Sequence, residues 1–483
     1  MRPHSPSLPS AVLLLTLVLS ACAVGPDYVR PAPPPGATLA LKEDGPWRQA
    51  GGGAAIEAGA WWTAFGDPVL NGLVDEANKA NQTLAAAQAQ YAQAQALVQG
   101  AQAAWYPTVG VDASVTRGRA ISNGKSSLGN SHAWALQAAW EPDLWGRVSR
   151  QVEAAGASAQ ASAADLAAAR LVVQAAVVNN YVQLRLADQQ KALYARTLEG
   201  YRKSLSITQA QFRAGTNTRS DVALAQATLS GAEAQAIDVD LTRRQLEHAL
   251  AVLLGKTPAN FALAPAEPSL AIPAVPELVP SALLERRPDV AGAEARVAAA
   301  NANIGVAQSA WYPNISLGAS GGYQGAGFGD WFSAPGRVWA LGTTLAATLF
   351  DGGARKAQNA QAQAAFDAAA ATYRQTVLAG FQEVEDNLAA LNDLAQERVA
   401  QDAAVAASRE AERVALSQYR AGTTTYLSVI TAQTLSLTNE RTALQLVGRQ
   451  YAASVALIKA TGGGWQAEPL ATRGADAHTA SNK

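Results

Sequence analysis

Cysteine is nearly absent from this chain of 483 residues, which holds one cysteine and four histidines. This excludes a disulfide scaffold and any zinc cluster built from several cysteines. Charged residues make up only 16% of the chain, and the formal net charge is −1. A nucleic-acid-binding protein needs a basic face, so the charge balance argues against that class. The sequence therefore predicts neither a metal centre nor a nucleic-acid partner.

Long apolar runs are also missing after the first 20 residues. A membrane-spanning helix needs about 20 apolar residues, whereas the longest uncharged apolar run, 338–350, holds 13. No His–carboxylate spacing, nucleophile elbow or phosphate-binding loop is present. The sequence therefore argues against a bundle of membrane helices and against an enzyme.

The first residues have the pattern of a bacterial lipoprotein signal. A basic start precedes the apolar core 11–19, which is followed by small residues and then by Cys22, the single cysteine. We expect cleavage before Cys22, a diacylglycerol on its thiol and an acyl chain on the new amino terminus, which together anchor stably. Ala23, in place of an aspartate that would favour the inner membrane, favours the outer membrane. The alternative is an ordinary signal peptide with an incidental cysteine.

Two motifs recur along the chain at nearly the same spacing. Residues 101–107, which end in Trp-Tyr-Pro, recur at 307–313, and the Arg-Ala-Gly-Thr motif within 211–218 recurs within 418–425. The offsets of 206 and 207 residues predict a tandem duplication of a unit of roughly 200 residues.

Each repeat contains a long segment without proline, 143–257 in the first and 336–468 in the second. Both segments are rich in residues that favour helices. In the first segment, the spacing of the apolar residues predicts one nearly continuous helix over 146–213, about 100 Å long. Gly215 and Gly422 permit the left-handed conformation that ends a helix, so we expect each long helix to reverse there into a return helix.

Between the helical segments, apolar residues alternate with small polar ones in four places, which predicts four strands of about ten residues. We place them at about 108–116, 131–141, 314–324 and 337–350. Their length and alternation are typical of outer-membrane barrel strands. Four strands cannot close a barrel, and open edges are excluded from lipid, so further copies of the chain must complete it. Three copies would give 12 strands; the alternative is a soluble β-sandwich beside a coiled coil.

The domain organisation follows from these features. Each repeat is predicted to contain a short helix, two strands, a long helix, a hairpin turn and a return helix, with the turns at 213–218 and 420–425. The boundaries are 1–21 for the signal peptide, 22–66 for an N-terminal extended segment, 67–257 for the first repeat, 258–285 for a Pro-rich linker, 286–461 for the second repeat and 462–483 for a C-terminal tail.

Several motifs, in this order along the chain, resemble the TolC-like outer-membrane factors, and among them the OprM-like and NodT-like lipoprotein branch. These are Cys-Ala-Val-Gly-Pro-Asp-Tyr at 22–28, Trp-Trp at 61–62, Phe-Gly-Asp-Pro at 65–68, Asp-Leu-Trp-Gly-Arg at 143–147, Glu-Arg-Arg-Pro-Asp-Val at 285–290 and Leu-Phe-Asp-Gly-Gly at 349–353. The resemblance covers the chain from Cys22 to about Trp465. It implies an α+β membrane channel in which three chains share one 12-stranded β-barrel and long helical hairpins form an α-barrel through the periplasm.

The resemblance also implies the function, a lipid-anchored exit duct in the outer membrane of a Gram-negative bacterium. Such a duct has no chemistry of its own and no cofactor beyond the lipid on Cys22. It conducts drugs, metals or metabolites passively, together with a periplasmic adaptor and a proton-driven inner-membrane pump of the RND type. The segment 258–285 and the chain after Gly462 would form an equatorial belt. Type I protein secretion is the first alternative, and a pore-free coiled-coil lipoprotein the second.

In this family the helical hairpins close the periplasmic mouth and splay to open it, and their turns also touch the adaptor. The resemblance assigns adaptor contact to Gly215, Thr216, Gly422 and Thr423. The simpler interpretation is that these residues only end the helices.

A gate is expected beside these turns, where relatives carry inward acidic side chains after the second turn. This chain departs from the family there, because it has Ser428 and Thr431. The matching position of the first repeat is Asp221. We hypothesise that Asp221 forms interchain links that hold the mouth shut, and the candidate partners are Arg219, Arg213 and Arg420. The alternative is that Ser220 or Asp221 caps the return helix.

Overall fold

The computed structural model describes residues 24–32, 41–42, 59–122, 125–266, 272–273 and 286–466. The predicted signal peptide and Cys22, most of the linker 258–285 and most of the tail 462–483 lie outside these residues. The described chain is mostly helical and contains a sheet of four strands.

Seven α-helices run through the described residues. They are α1 Pro68–Ala80, α2 Gln82–Ala103, α3 Arg147–Arg213, α4 Arg219–Leu253, α5 Pro288–Ser309, α6 Ala354–Arg420 and α7 Tyr426–Ala460. α3 and α6 each have 67 residues, which gives a length of about 100 Å. α4 and α7 each have 35 residues and run back along them. The long and return helices are therefore equal in length in the two halves of the chain.

The first repeat has two helices where the sequence predicted one before its Trp-Tyr-Pro motif. α1 begins after Asp67, whose carboxylate accepts a bond from the N–H of Val69 at 2.8 Å. α1 ends at Asn81, whose side chain accepts a bond from the N–H of Leu84 and so begins α2. The Asn81 amide also donates to the Leu253 carbonyl at 2.8 Å. The expectation of a single helix is wrong because Asn81 serves both helices: its N–H donates to the Ala77 carbonyl of α1, and its side chain caps α2.

The sheet is antiparallel, with the strand order β1-β2-β3-β4. The strands are β1 Thr108–Ser122, β2 Lys125–Trp140, β3 Asn314–Gly325 and β4 Arg337–Ala346. β1 and β2 are longer than the predicted 108–116 and 131–141, because they continue to pair with each other after β3 has ended opposite His132. β4 is shorter than the predicted 337–350, because its last partner, Asn314, is the first residue of β3 and follows a proline.

α3 is long and apolar enough, by length and composition, to cross a membrane. In its most apolar window, 44% of the residues are buried inside the chain. The buried core helix of a soluble protein can have the same length and composition, so these two properties do not make α3 a spanning helix.

The Trp-Trp motif joins the start of the first repeat to the middle of α3. Trp61 and Phe65 are buried in the core to which α1, α3, α4 and α7 contribute. The Trp61 indole donates to Gln174 at 3.0 Å, and the Tyr181 hydroxyl donates to Asp67 at 2.6 Å. This motif therefore has a packing role at the middle of the long helix.

Arg287, within the Arg-Arg-Pro-Asp motif, connects three helices. Its side chain is 8% exposed and pairs with Asp289 at 2.6 Å and with Glu383 of α6 at 2.9 Å. It also donates to the carbonyl of Ala460, the last residue of α7, at 3.0 Å. The motif thus fastens the start of α5 to α6 and α7.

Residues 24–32, which follow the predicted anchor, lie against α3 and α5. The buried guanidinium of Arg150 donates to the Val24 carbonyl at 3.3 Å and pairs with Asp27 at 2.8 Å. The N–H of Val24 donates to the Trp145 carbonyl at 3.1 Å. The segment is therefore held at the junction between the sheet and the long helices.

Candidate functional site

The register of the strands gives the sheet two chemically different faces, because directly paired residues share a face. Val111 pairs with Leu136, and Ala319 pairs with Leu341. The apolar face comprises Val109, Val111, Ala113, Val115, Trp134, Leu136, Leu317, Ala319, Trp339, Leu341 and Leu345. The other face carries mostly small and polar residues, namely Thr108, Gly110, Asp112, Ser114, Gln137, Ser320, Gly322, Gln324, Gly342 and Thr344.

The apolar face is largely uncovered by the described chain. Trp339 and Leu341 are each 78% exposed, and Val109 is 71% exposed. Such a face would be a liability in water, whereas lipid solvates it. The small and polar face is correspondingly suited to line an aqueous passage.

Aromatic side chains lie near both ends of the sheet. Next to the helices, the exposed ones are Trp105, Tyr106, Trp140, Trp311 and Tyr312. Toward the other end, Trp134 stacks on Tyr323 with 5.5 Å between the ring centroids. The separation of Trp134 and Trp140 along β2 is about 20 Å at the strand rise. This is close to the apolar band of about 25 Å that aromatic girdles flank in outer-membrane barrels.

β1 and β4 are the edge strands, and each has one side without a partner strand in the described chain. β1 has 15 residues and β4 has 10. Unpaired backbone groups cost several kcal/mol each in lipid. A membrane location therefore requires further strands at both edges of this sheet.

The two hairpin turns have the same geometry. Gly215 and Gly422 have φ of +75° and +74°, the left-handed conformation that favours glycine. The N–H and the hydroxyl of Thr216 donate to the Gln211 carbonyl at 3.0 and 3.1 Å. Thr423 makes the same pair of bonds in the second turn. The four predicted tip residues end the helices and are exposed, and their contact with an adaptor stays a prediction.

Asp221 belongs to a capping box at the start of α4. Its carboxylate accepts bonds from the N–H of Thr218 at 3.3 Å and from the Thr218 hydroxyl at 2.6 Å. Thr218, rather than Ser220 or Asp221, is therefore the N-cap residue. Within the described chain, Asp221 forms no ion pair with any of the three arginines of the gate hypothesis. That hypothesis therefore depends on links between chains.

Ser428 and Thr431 have local, neutral contacts at the start of α7. The Thr424 hydroxyl donates to Ser428 Oγ at 3.1 Å, and Thr431 donates to the Leu427 carbonyl at 2.9 Å. These side chains supply no charge where the acidic ring of the family is expected.

A hydrogen-bond link between the two hairpins is not evident from the sequence. The Tyr419 hydroxyl accepts a bond from the Asn217 amide at 2.6 Å and donates to Thr208 Oγ1 at 3.0 Å. The Tyr419 ring lies 5.3 Å from that of Tyr426, and burial raises the pKa of Tyr426 to about 12. Comparison of the two repeats gives one indication of this link. Phe212, which has no hydroxyl, stands in the first repeat at the position that Tyr419 occupies in the second.

Glu412 of α6 gives the packing of the hairpins a testable dependence on pH. Burial raises the pKa of its carboxyl, although hydrogen bonds from Ser436 and Gln433 act to lower it. Because the folded-state pKa of Glu412 lies above the unfolded value, the contribution of this carboxyl to stability is fully present in acid and is lost as the pH rises through the folded pKa.

We expect Glu412→Gln to slow hydrogen exchange of nearby α6 and α7 amides at pH 7 but not below about pH 4. The exposed Glu410→Gln is the control, and equal slowing at both pH values would contradict this account.

A sheet with one face suited to lipid, one polar face and two open edges, joined to long helical hairpins, defines a subunit of an outer-membrane channel. The chain matches the outer membrane efflux protein family over residues 73–256 and 279–463, and it belongs to that family. The two matched ranges correspond closely to the two predicted repeats.

Known proteins similar to this chain cover nearly all of it. It is 33% identical over 477 residues to the pyoverdine export outer membrane protein OpmQ of Pseudomonas putida, across 96% of this chain and 99% of that protein. It is 32% identical over 471 residues to the outer membrane protein OprJ of Pseudomonas aeruginosa, across 96% and 97%. The solved structure of the outer-membrane channel OprN matches with a TM-score of 0.85 and 32% identity, over 92% of this chain and 100% of that one.

The chain is therefore an outer-membrane exit duct of an efflux system in a Gram-negative bacterium. The resemblance to TolC-like outer-membrane factors is confirmed, and so is the predicted function as an exit duct. The family is one of transport ducts rather than enzymes.

Proposed function

We propose that three copies of this chain close one 12-stranded barrel through which small molecules leave the periplasm passively. The observation that carries this proposal is the pair of open edges, β1 and β4, in a sheet whose apolar face is exposed. Joining β4 of one copy to β1 of the next satisfies both edges in a closed ring. Eight strands give an interior that side chains fill, so two copies would leave no passage, whereas 12 strands leave an aqueous lumen.

The helical hairpins would continue this barrel as an α-barrel across the periplasm. α3 and α6 are about 100 Å long, which exceeds what a globular domain needs. The equal helix lengths in the two halves support a tandem duplication as the origin of the fold. An adaptor would bind the exposed turns at the tips and connect the duct to a proton-driven inner-membrane pump of the RND type.

The lipid on Cys22 would anchor each chain beside the barrel, on the periplasmic side of the membrane. Val24, the second residue after Cys22 in the sequence, is held in place by Arg150 and Trp145. Trp145 stacks on Tyr312 with 5.0 Å between the ring centroids, at the row of aromatic residues where headgroups would lie. Labelled palmitate should enter the wild-type chain and not Cys22→Ala; label in the variant would overturn the assignment.

Two kinds of contact would hold the periplasmic mouth closed. Within each chain, the Tyr419 link joins the two hairpins. Between chains, Asp221 would pair with an arginine of a neighbouring copy, and the candidates stay Arg213, Arg219 and Arg420. Ser428 and Thr431 add neutral side chains to the start of the second return helix.

We expect Tyr419→Phe to increase the conductance of single trimers in planar bilayers. The variant removes the hydroxyl that joins Asn217 to Thr208 and keeps the ring in its apolar cluster. Each lost hydrogen bond is worth about 1 kcal/mol, and three chains lose two each. Tyr426→Phe is the matched control, because its hydroxyl has no hydrogen bond within the described chain. Conductance equal to that of the wild type would contradict the intrachain link, and the same result for Asp221→Ala would contradict the interchain one.

The substrates would be small molecules rather than proteins. OpmQ is named for pyoverdine export, and a further relative, 31% identical, is named a solvent efflux pump outer membrane protein. Deletion of the gene should raise the accumulation of a fluorescent dye in cells and leave the secreted proteins unchanged. Loss of one secreted protein with normal dye efflux would instead favour type I secretion.

A further inference from the structure

The β1–β2 hairpin extends beyond the rest of the sheet at the end away from the helices. β3 ends at Gly325, opposite His132, whereas β1 and β2 continue to pair up to Ser122 and Lys125. This extension of seven residues on each strand is about 24 Å long at the strand rise. With the helices in the periplasm, the hairpin projects from the outer surface of the membrane.

Two arginines continue the apolar stripe of β1 into this extension. Val111 and Val115 lie on the lipid side of β1, and strand alternation places Arg117 and Arg119 on the same side, about 7 Å apart. Both arginines are exposed. Neither forms an ion pair or a side-chain hydrogen bond with another residue that the structure describes, and their partners on β2 are uncharged.

The charged residues near this extension give the lipid side of this end of the sheet a net positive charge. Arg337 is exposed and lies on the same face of β4, paired with Tyr323. Asp330, in the β3–β4 loop, accepts a bond from the N–H of Gly327 at 3.2 Å. Asp112 lies on the opposite, polar face. On the lipid side of this end of the described sheet, the outer-rim arginines, Arg117, Arg119 and Arg337, therefore have no matching set of acids.

We propose that the outer-rim arginines bind the phosphate groups of the glycolipid that forms the outer leaflet of the outer membrane. Arg337 is in register with the aromatic row of Tyr323 and Trp134, and Arg117 lies about 13 Å beyond that row along β1. Lipid headgroups lie at the level of such aromatic rows and just outside it. The planar guanidinium presents paired donors that match the oxygens of a phosphate group. This inference rests on the proposed barrel and its orientation, and it adds a specific lipid partner.

The test is the binding of diphosphoryl lipid A to the purified, detergent-solubilised trimer, with the same lipid after removal of its phosphates as the second probe. We expect the wild type to bind the phosphorylated lipid at least about tenfold more tightly. The double variant Arg117→Gln/Arg119→Gln should lose this preference. Arg374→Gln is the control, because Arg374 is also an exposed arginine but lies on α6, in the helical part.

Two results would overturn the proposal: a wild type that binds both lipids equally, or a double variant that keeps the wild-type preference. Each trimer is also checked for oligomeric mass and for conductance in neutral lipid, which the variants should retain. If a variant forms a conducting trimer but has lost the preference for the phosphorylated lipid, the substitution has affected the lipid site and not the barrel. A wild type that is not a trimer would instead count against the proposed barrel.

Discussion

Leu341→Arg is expected to prevent assembly in the outer membrane, whereas Ala340→Arg, one residue earlier in β4, is expected to permit it. Leu341 lies on the apolar face and is 78% exposed. An arginine on the lipid face at the middle of a barrel costs about 2–4 kcal/mol. In a trimer this becomes about 6–12 kcal/mol, which is comparable to the stability of a whole domain.

Ala340 is the matched control because it pairs with Ser320 on the polar face. Its arginine would enter the aqueous lumen, where it should shift ion selectivity toward anions without blocking assembly. The measurement is the amount of oligomer in separated outer membranes on native gels. If both variants assembled equally well, or only Leu341→Arg did, the assignment of the two faces would be wrong.

Arg287→Ala should cause a large loss of stability in the helical part. The guanidinium is 8% exposed and bonds to Asp289, to Glu383 and to the Ala460 carbonyl. Breaking a buried ion pair costs about 3–5 kcal/mol. Since both carboxylates are about 40% exposed, water can solvate them after the change, and we expect about 3 kcal/mol per chain.

Arg286→Ala is the control for this effect, because Arg286 is the exposed neighbour in the same motif. It should change stability by less than about 0.5 kcal/mol. Arg287→Lys should fail to restore stability, because an ammonium group cannot reproduce the paired donors of guanidinium. Thermal dissociation of the purified oligomer measures all three variants. Similar transition temperatures for Arg287→Ala and Arg286→Ala would rule out the three-helix connection.

The elements with strong local periodicity could be predicted from the sequence. Alternation placed the four strands on the chain, and the proline-free segments with Gly215 and Gly422 placed the long helices and their turns. The lengths of β1 and β2 could not be predicted, because Arg117 and Arg119 interrupt the apolar pattern while backbone pairing continues. The break at Asn81 was missed for a similar reason, since the helical pattern continues through it.

Contacts between distant parts of the chain could not be predicted from the sequence. The motif that holds Arg287 indicated the family, yet its partner Glu383 lies 96 residues away. Gly462 has φ of +86°, and a Cβ there would lie 1.8 Å from the Arg286 carbonyl oxygen. Only the folded chain shows that this glycine permits the close approach. The link between Asn217 and Tyr419 is likewise a product of how the two hairpins pack.

The shared barrel is the central claim, and the oligomeric mass of the native protein tests it most directly. The protein would be extracted from separated outer membranes in mild detergent and weighed by native mass spectrometry. Three lipid-bearing chains are expected, because four strands per chain leave both edges of the sheet open and three copies close them around an aqueous lumen. A monomer or a dimer would contradict the shared 12-stranded barrel, since neither can supply its strands.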